Sequence, residues 1–358
     1  MFDYELDLMN TNTTHTGFTL NGEYSEGSTP VQRLKMVALS LLTLLCLTLS
    51  SGLWAAEEPS DAENRVKGNF AGAGYWREVS DGTEGYTTSK GREHGQLINV
   101  SGETWRQWRN RWISPGGLIA IGGSISVLLL TYLILGPMRL DKPRTGRKIE
   151  RWNPTDRALH WFVAITFLAL AFSGIIIMYG KHFIPDLFGY SFWKGTIAFC
   201  KLVHNYIGPI FSVGLIVMLL RWLKNNFFTR TDITWFLQGG GLIGNKHPSA
   251  GFMNGGEKGW YWALFFIGSA VVASGFVLDF PIFGQVRDTM QWANLIHGGA
   301  SLLLFAISLG HIYIGTVGAE GALEGMKTGY VDETWAKQHH DLWYEEVKDQ
   351  MVDEKDVR

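Results

Sequence analysis

Five apolar segments divide this chain, at 116–136, about 159–180, 196–222, 259–280 and 291–317. Each is long enough to cross a hydrocarbon core of roughly 30 Å. Segments of that kind must satisfy their backbone polar groups internally, so the expected fold is an all-α integral membrane protein. Averages over the chain conceal this. Mean hydropathy is only +0.03 and the formal net charge is −2, because long polar flanks dilute the apolar runs. A charge so close to zero carries no footprint for nucleic acid. The two cysteines, Cys46 and Cys200, both lie in apolar runs, which argues against a disulfide, an iron–sulfur cluster or a zinc site within this chain. Aromatic residues crowd the ends of the runs, as in Trp260-Tyr261-Trp262, and read as an interfacial belt facing membrane lipid.

The polar intervals suggest an organisation. Residues 1–56 form a polar lead followed by a signal peptide-like apolar stretch ending at Ala55-Ala56, with Met36 an alternative start. Residues 57–112 make a Gly-rich extension on the exported side, in which the alternation around Leu97–Arg109 suggests a short strand, the plainer reading being a docked extension without chemistry. Residues 113–138 supply an additional transmembrane helix, and 139–158 a basic linker. The remaining spans occupy 159–318, and 319–358 form a charged tail, helical near Trp335–Lys348. Arg139, Lys142, Arg144, Arg147, Lys148, Arg151 and Arg157 outnumber Arg106, Arg109 and Arg111 on the other flank. The positive-inside rule therefore puts the linker and the tail in the cytoplasm and the extension in the periplasm.

Four histidines give the spans a chemistry. His297 and His311 share one apolar segment, fourteen residues apart. In a helix that separation brings the two side chains to within roughly 40° of each other and about 21 Å apart along the axis. They therefore face one side of a helix near opposite membrane surfaces. His160 lies at the inner end of its helix and His204 several residues into an inward-running one, so matched depths pair His160 with His311 and His204 with His297. Paired imidazoles are suitable axial ligands for a haem iron devoted to electron transfer. Lone intramembrane histidines are commonly structural hydrogen-bonding groups, but four at matched depths fit two haems better. Gly208 and Gly298-Gly299 would relieve crowding beside a porphyrin, and the absence of Cys-x-x-Cys-His points to non-covalent haem b. The fold expected is then a four-helix transmembrane dihaem cytochrome b bundle, preceded by the signal-like segment and one extra helix. His15, His94, His182, His247, His339 and His340 read as non-ligands in polar segments. Phe172-Ser173-Gly174 and Ala273-Ser274-Gly275 form a faint internal echo, with small residues that permit close approach.

Several motifs carry a family resemblance: Arg151-Trp-Asn-Pro-Thr-Asp-Arg157-Ala-Leu-His160-Trp, Lys201-Leu-Val-His204-Asn-Tyr-Ile-Gly208-Pro, Asn254-Gly-Gly-Glu257-Lys258 before an aromatic-headed helix, Asn294-Leu-Ile-His297, and Gly310-His311. Over roughly 145–350 the chain resembles the cytochrome b gamma subunit of membrane-bound formate dehydrogenase, related to the b-type subunits of nickel–iron hydrogenases. The resemblance implies an inner (cytoplasmic) membrane subunit of a bacterial complex, partnered by an iron–sulfur (beta) subunit and a molybdopterin catalytic (alpha) subunit. It implies two haem b, an outer one on His204 and His297 and an inner one on His160 and His311. It also implies a quinone (menaquinone or ubiquinone) beside His311 that accepts the electrons, with Asn254 the matching polar residue and Lys258 a weaker candidate that snorkels to the interface in the alternative reading. Such a chain transfers electrons and has no catalytic residue for formate itself. Inward transfer works against the membrane potential at about 2.3 kcal/mol per 100 mV, which a strongly reducing donor can supply. Arg151 and Arg157 are candidates to meet inner haem propionates. A hydrogenase or another quinone-linked oxidoreductase is the alternative within this class. Outside it stands a His-based metal transporter, which would want intramembrane carboxylates where only Asp279 is on offer.

Overall fold

The computed structural model describes residues 99–241 and 247–357, with the isolated positions 77, 81, 88 and 93; the signal-like segment and most of the extension lie outside them. Among the described residues five helical spans are long and apolar enough to cross a membrane, Ser101–Leu135, Pro154–His182, Tyr190–Asn226, Gly255–Asp279 and Arg287–Gly318.

The first span begins earlier than the hydropathy suggests. Helix α1 (Val100–Gln107) passes through a π-helical turn (Trp108–Ile113) into α2 (Ser114–Leu135). Over 99–109 the expected strand is replaced by helix. Asn99 caps it by accepting from the Gly102 amide at 3.2 Å, and Glu103 pairs with Arg106 at 2.7 Å one turn on. Trp105, Trp108 and Trp112 recur at helical spacing, a period that the apparent alternation masked. The Trp105 indole donates to Asn294 Oδ1 at 3.0 Å and Ser101 to Gln291 at 2.9 Å.

Strand β1 (Arg147–Glu150) precedes α3 (Pro154–Tyr179), which Asn153 and Pro154 start as N-cap and first helical residue. The short α4 (Ile184–Phe188) leads to α5 (Tyr190–Trp222), then a surface helix α6 (Arg230–Leu237). Helix α7 (Gly255–Ala263) continues through a π-helical turn into α8 (Ser269–Asp279), and α9 (Arg287–Tyr313) closes the bundle. Helix α3 packs on α5, α8 on α9, and α2 lies outside against α9. Contact there is close: a Cβ at Gly117 would come within 2.4 Å of Leu302. Val163, Phe211, Leu215, Tyr261 and Leu304 fill the centre where α3, α5, α7 and α9 meet.

The linker and the tail, read as separate polar segments, fold together into a cap at one end of the bundle. It contains α10 (Ala322–Thr328), β2 (Tyr330–Asp332), α11 (Glu333–His339), α12 (Asp341–Val347) and β3 (Val352–Asp353). Strand β1 lies between β2 and β3, antiparallel to both, with Ile149 opposite Val331. Ile149, Val331, Trp335, Ala336, Trp343 and Tyr344 form its own core. The basic linker is matched by tail carboxylates, as Lys148 with Glu324 and Glu354 and Arg144 with Glu320 show.

Candidate functional site

Helix ends set the depth of the four histidines. His160 stands in the second turn of α3 and His311 in the last turn of α9, both at the end of the bundle that carries the cap. Their ring centroids lie 6.2 Å apart. Deeper in the bundle, His204 of α5 and His297 of α9 face each other with centroids 6.0 Å apart. A metal–imidazole bond of about 2 Å on either side of one ion separates two such rings by roughly 6 Å.

The pair remote from the cap is held by the helices it packs on. Ser173 Oγ donates to the Ala169 carbonyl at 2.8 Å and accepts from His204 Nδ1 at 3.0 Å. His297 Nδ1 donates to the Val271 carbonyl at 3.0 Å, with Ser274 Oγ 3.4 Å away. With both Nδ1 atoms engaged, Nε2 of each ring remains to bind iron, the usual consequence of a second hydrogen bond on a ligating imidazole. Each ring also faces a glycine. A Cβ at Gly174 would sit 3.3 Å from His204 Cε1, and one at Gly275 3.1 Å from His297 Cε1. The echo of Ser173-Gly174 in Ser274-Gly275 thus acquires a physical meaning: hydroxyl and glycine together seat a histidine from the next helix. The sequence reading noted these residues for their size and missed the hydrogen bond.

Near the cap the construction differs. His160 Nδ1 is buried without a hydrogen-bond partner among the described residues. His311 stacks face to face on Trp260, centroids 4.7 Å apart and planes at 10°, and His160 lies 6.5 Å from Trp222. Each level thus presents two facing imidazoles about 6 Å apart, a spacing compatible with one metal ion held between them.

Asn254 caps α7. Its side chain accepts from the Glu257 amide at 2.9 Å and Glu257 returns the bond to the Asn254 amide at 2.9 Å. The Lys258 ammonium is buried on Asp232 at 2.7 Å. Burial opposes charge on Asp232, yet Lys258 and the Thr229 donors hold its carboxyl below the usual range. Arg151 is engaged through Nη2, while its buried Nε has no hydrogen-bond partner among the described residues. Its guanidinium pairs with Glu257 at 2.9 Å, donates to the Phe252 carbonyl and lies 4.8 Å from the Trp335 ring centre. Arg157 keeps a buried Nε without a partner among the described residues and donates through Nη1 to the Lys327 carbonyl.

A family model described as prokaryotic cytochrome b561 matches residues 151–329. The nitrate-inducible formate dehydrogenase cytochrome b556(Fdn) subunit of Escherichia coli K12 is 31% identical over 208 residues, which cover 57% of this chain and 93% of that protein. The formate dehydrogenase cytochrome b556(fdo) subunit of the same strain is 27% identical over 203 residues, covering 56% and 93%. A formate dehydrogenase cytochrome b556 subunit of Haemophilus influenzae is 28% identical over 207 residues, covering 56% and 83%.

Proposed function

The chain belongs to the prokaryotic cytochrome b561 family, and from that premise we propose that it is the gamma subunit of a formate dehydrogenase, linking a periplasmic iron–sulfur subunit to a quinone near the cytoplasmic face. It is a multi-pass membrane cytochrome b subunit with b-type haem. His204 and His297 hold the outer haem and His160 and His311 the inner one. Bound at those two levels, haem b supplies one-electron redox chemistry across the thickness of the bilayer. The chain's own residues orient the ligands. Ser173 and the Val271 carbonyl fix the outer imidazoles, and Trp260 sets the ring plane of His311. Asn254 and Lys258 are the candidate quinone residues. As the structure stands both are engaged, Asn254 in its capping box and Lys258 on Asp232, so Asn254 contacts a quinone through its remaining amide donors. The cap, rich in linker arginines, is cytoplasmic, and the α and β subunits dock on the opposite face.

The single observation that carries the reading is the presence of two facing imidazole pairs at two depths, 6.2 and 6.0 Å between ring centroids. Reduced-minus-oxidised spectra with haem quantitation test it. Two b haems per wild-type chain are expected, with His297→Ala and His311→Ala each losing one, and formate should reduce both in membranes that carry the native partners. A well-folded but colourless chain grown with ample haem would sink the reading.

A further inference from the structure

A line of titratable side chains runs through the cap toward the inner pair, and the electron-transfer reading makes no use of it. At its outer end Asp141, largely exposed, meets His247 at 2.6 Å between Oδ2 and Nε2. The His247 ring lies edge to face with that of His339, centroids 6.3 Å apart. His339 Nε2 is buried and has no hydrogen-bond partner among the described residues. His340 follows directly and is 1% exposed, with Nδ1 donating to the Gly251 carbonyl at 2.7 Å. Its Nε2 therefore carries the lone pair, and it faces Glu257 Oε2 across 3.9 Å. Glu257 closes the line, because Oε2 also accepts from the Asn254 amide while Oε1 is held by Arg151.

We propose that Asp141, His247, His339, His340 and Glu257 form a proton-entry path from the surface of the cap to the capping box at the start of α7, where it supplies the quinone. The proposal rests on the quinone-reducing reading above. Reducing a quinone to a quinol consumes two electrons and two protons. The electrons arrive from the haem side and the protons come from water at Asp141 and His247. Where the gaps exceed hydrogen-bonding distance, one bridging water suffices. At the inner step a proton delivered along the path binds the His340 Nε2 lone pair and makes the ring transiently cationic. That new N–H bond then breaks as an O–H bond forms at Glu257 Oε2, and the carboxyl passes the proton to a quinone oxygen beside Asn254, which returns Glu257 to the carboxylate and His340 to the neutral ring. Two acceptors facing each other at 3.9 Å favour one shared proton and repel without it. The charged groups around this slot set its resting state. Burial and the neighbouring Arg151 push His340 down to about 3, and burial with His247 pushes His339 down to about 4, while Glu257 acts in the opposite sense on both. At neutral pH both imidazoles are uncharged, so they pass a proton without trapping it.

The test uses the full-length, haem-loaded chain in liposomes, reduced with dithionite and mixed with a soluble menaquinone analogue, with haem reoxidation followed optically across neutral and alkaline pH. Glu257→Gln keeps the capping box, because glutamine serves equally at that position. It should slow reoxidation roughly tenfold or more, most severely at alkaline pH. His247→Gln, near the surface, should be slowed and then restored by imidazole in the buffer. Wild-type rates and pH profiles in both variants overturn the path. So does a slowing that is uniform with pH and untouched by imidazole, the mark of a merely structural role. If the reduced wild-type chain is not reoxidised by quinone at all, the quinone-reducing reading has failed, and the path falls with it before any variant is compared.

Discussion

The two histidine pairs have nearly the same separation and opposite surroundings. Around His204 and His297 the hydrogen-bonding neighbours are uncharged: a serine hydroxyl, a backbone carbonyl, and a glycine opposite each ring. Around His160 and His311 the fixing elements are aromatic faces, one imidazole nitrogen is free of any described partner, and ionisable side chains begin one helical turn beyond Trp260. A site that only relays electrons gains from rigid, uncharged support, since every fixed dipole then acts on the metal and none on a proton. A site where electrons meet protons needs ionisable groups close by, and its ligands are then steadied by stacking instead. The difference follows from position: the outer pair lies between packed helices, and the inner pair adjoins a cap made of polar sequence.

The strongest way to break the comparison is to remove ligands in pairs. His204→Ala should abolish the outer haem and leave the inner, and His160→Ala the reverse, as read by haem content and by the number of redox transitions in a titration. Adding the second ligand mutation of the same pair should cost nothing more, because both act on one centre. Loss of both haems from a single substitution would show that the levels are not independent. Next in size is Gly275→Val. A Cβ there already approaches His297 to 3.1 Å, so the branched side chain must displace the ring. It should deplete the outer haem alone, with affinity falling by roughly tenfold to a hundredfold.

The cap can be challenged through pH. His339 and His340 stay unprotonated when folded down to about 4 and about 3, whereas unfolded imidazoles take up protons near 6.5. In that window the unfolded state binds more protons, so the stability of the cap falls as pH drops. Glu333 acts in the same direction: the Lys337 ammonium and Tyr344 hydroxyl hold its carboxyl below 4.5, and that contribution disappears as pH falls through the lowered value. Acidification from neutral pH should therefore loosen the cap before the membrane helices, with Trp335 and Trp343 fluorescence shifting while helical circular dichroism persists. His340→Gln should flatten the slope between pH 6.5 and 4. Equal slopes in variant and wild type would remove His340 from the account.

The spans and the histidine depths were legible because both depend on short-range periodicity: about 20 apolar residues cross a bilayer, and a fourteen-residue step returns to one face. Those steps do not depend on which distant segments meet. The cap does. Its strands have four, three and two residues, too short for an alternation to register. Its core relies on Trp335 and Trp343, which the surrounding charges of the tail disguise, and on Arg151 reaching Glu257 across 106 positions. The linker arginines were read for topology, although two of them, Arg144 and Arg147, are bound by tail carboxylates in the folded chain. Residues 99–109 failed for another reason: a few alternating apolar positions outweighed the helical spacing of three tryptophans.

The smallest expected effect separates the two halves of the outer pair. Ser173 is the side-chain acceptor for His204 Nδ1 at 3.0 Å, whereas Ser274 stands 3.4 Å from His297 Nδ1, which already donates to the Val271 carbonyl at 3.0 Å. Both hydroxyls donate to carbonyls within their own helices, so each meets the imidazole with a lone pair. An imidazole that donates from Nδ1 is a more basic ligand, and such a ligand favours the oxidised iron. Ser173→Ala should therefore raise the outer haem potential and weaken haem retention by up to about tenfold, the low end of such effects. Ser274→Ala should do less, since the Val271 carbonyl at 3.0 Å remains, and the Leu170 carbonyl beside His204 limits the effect of Ser173→Ala in the same way. Neither should move the inner haem. Equal shifts from the two substitutions would mean that the hydroxyls act through packing alone, because the serines share a size and differ here only in how fully each holds its histidine.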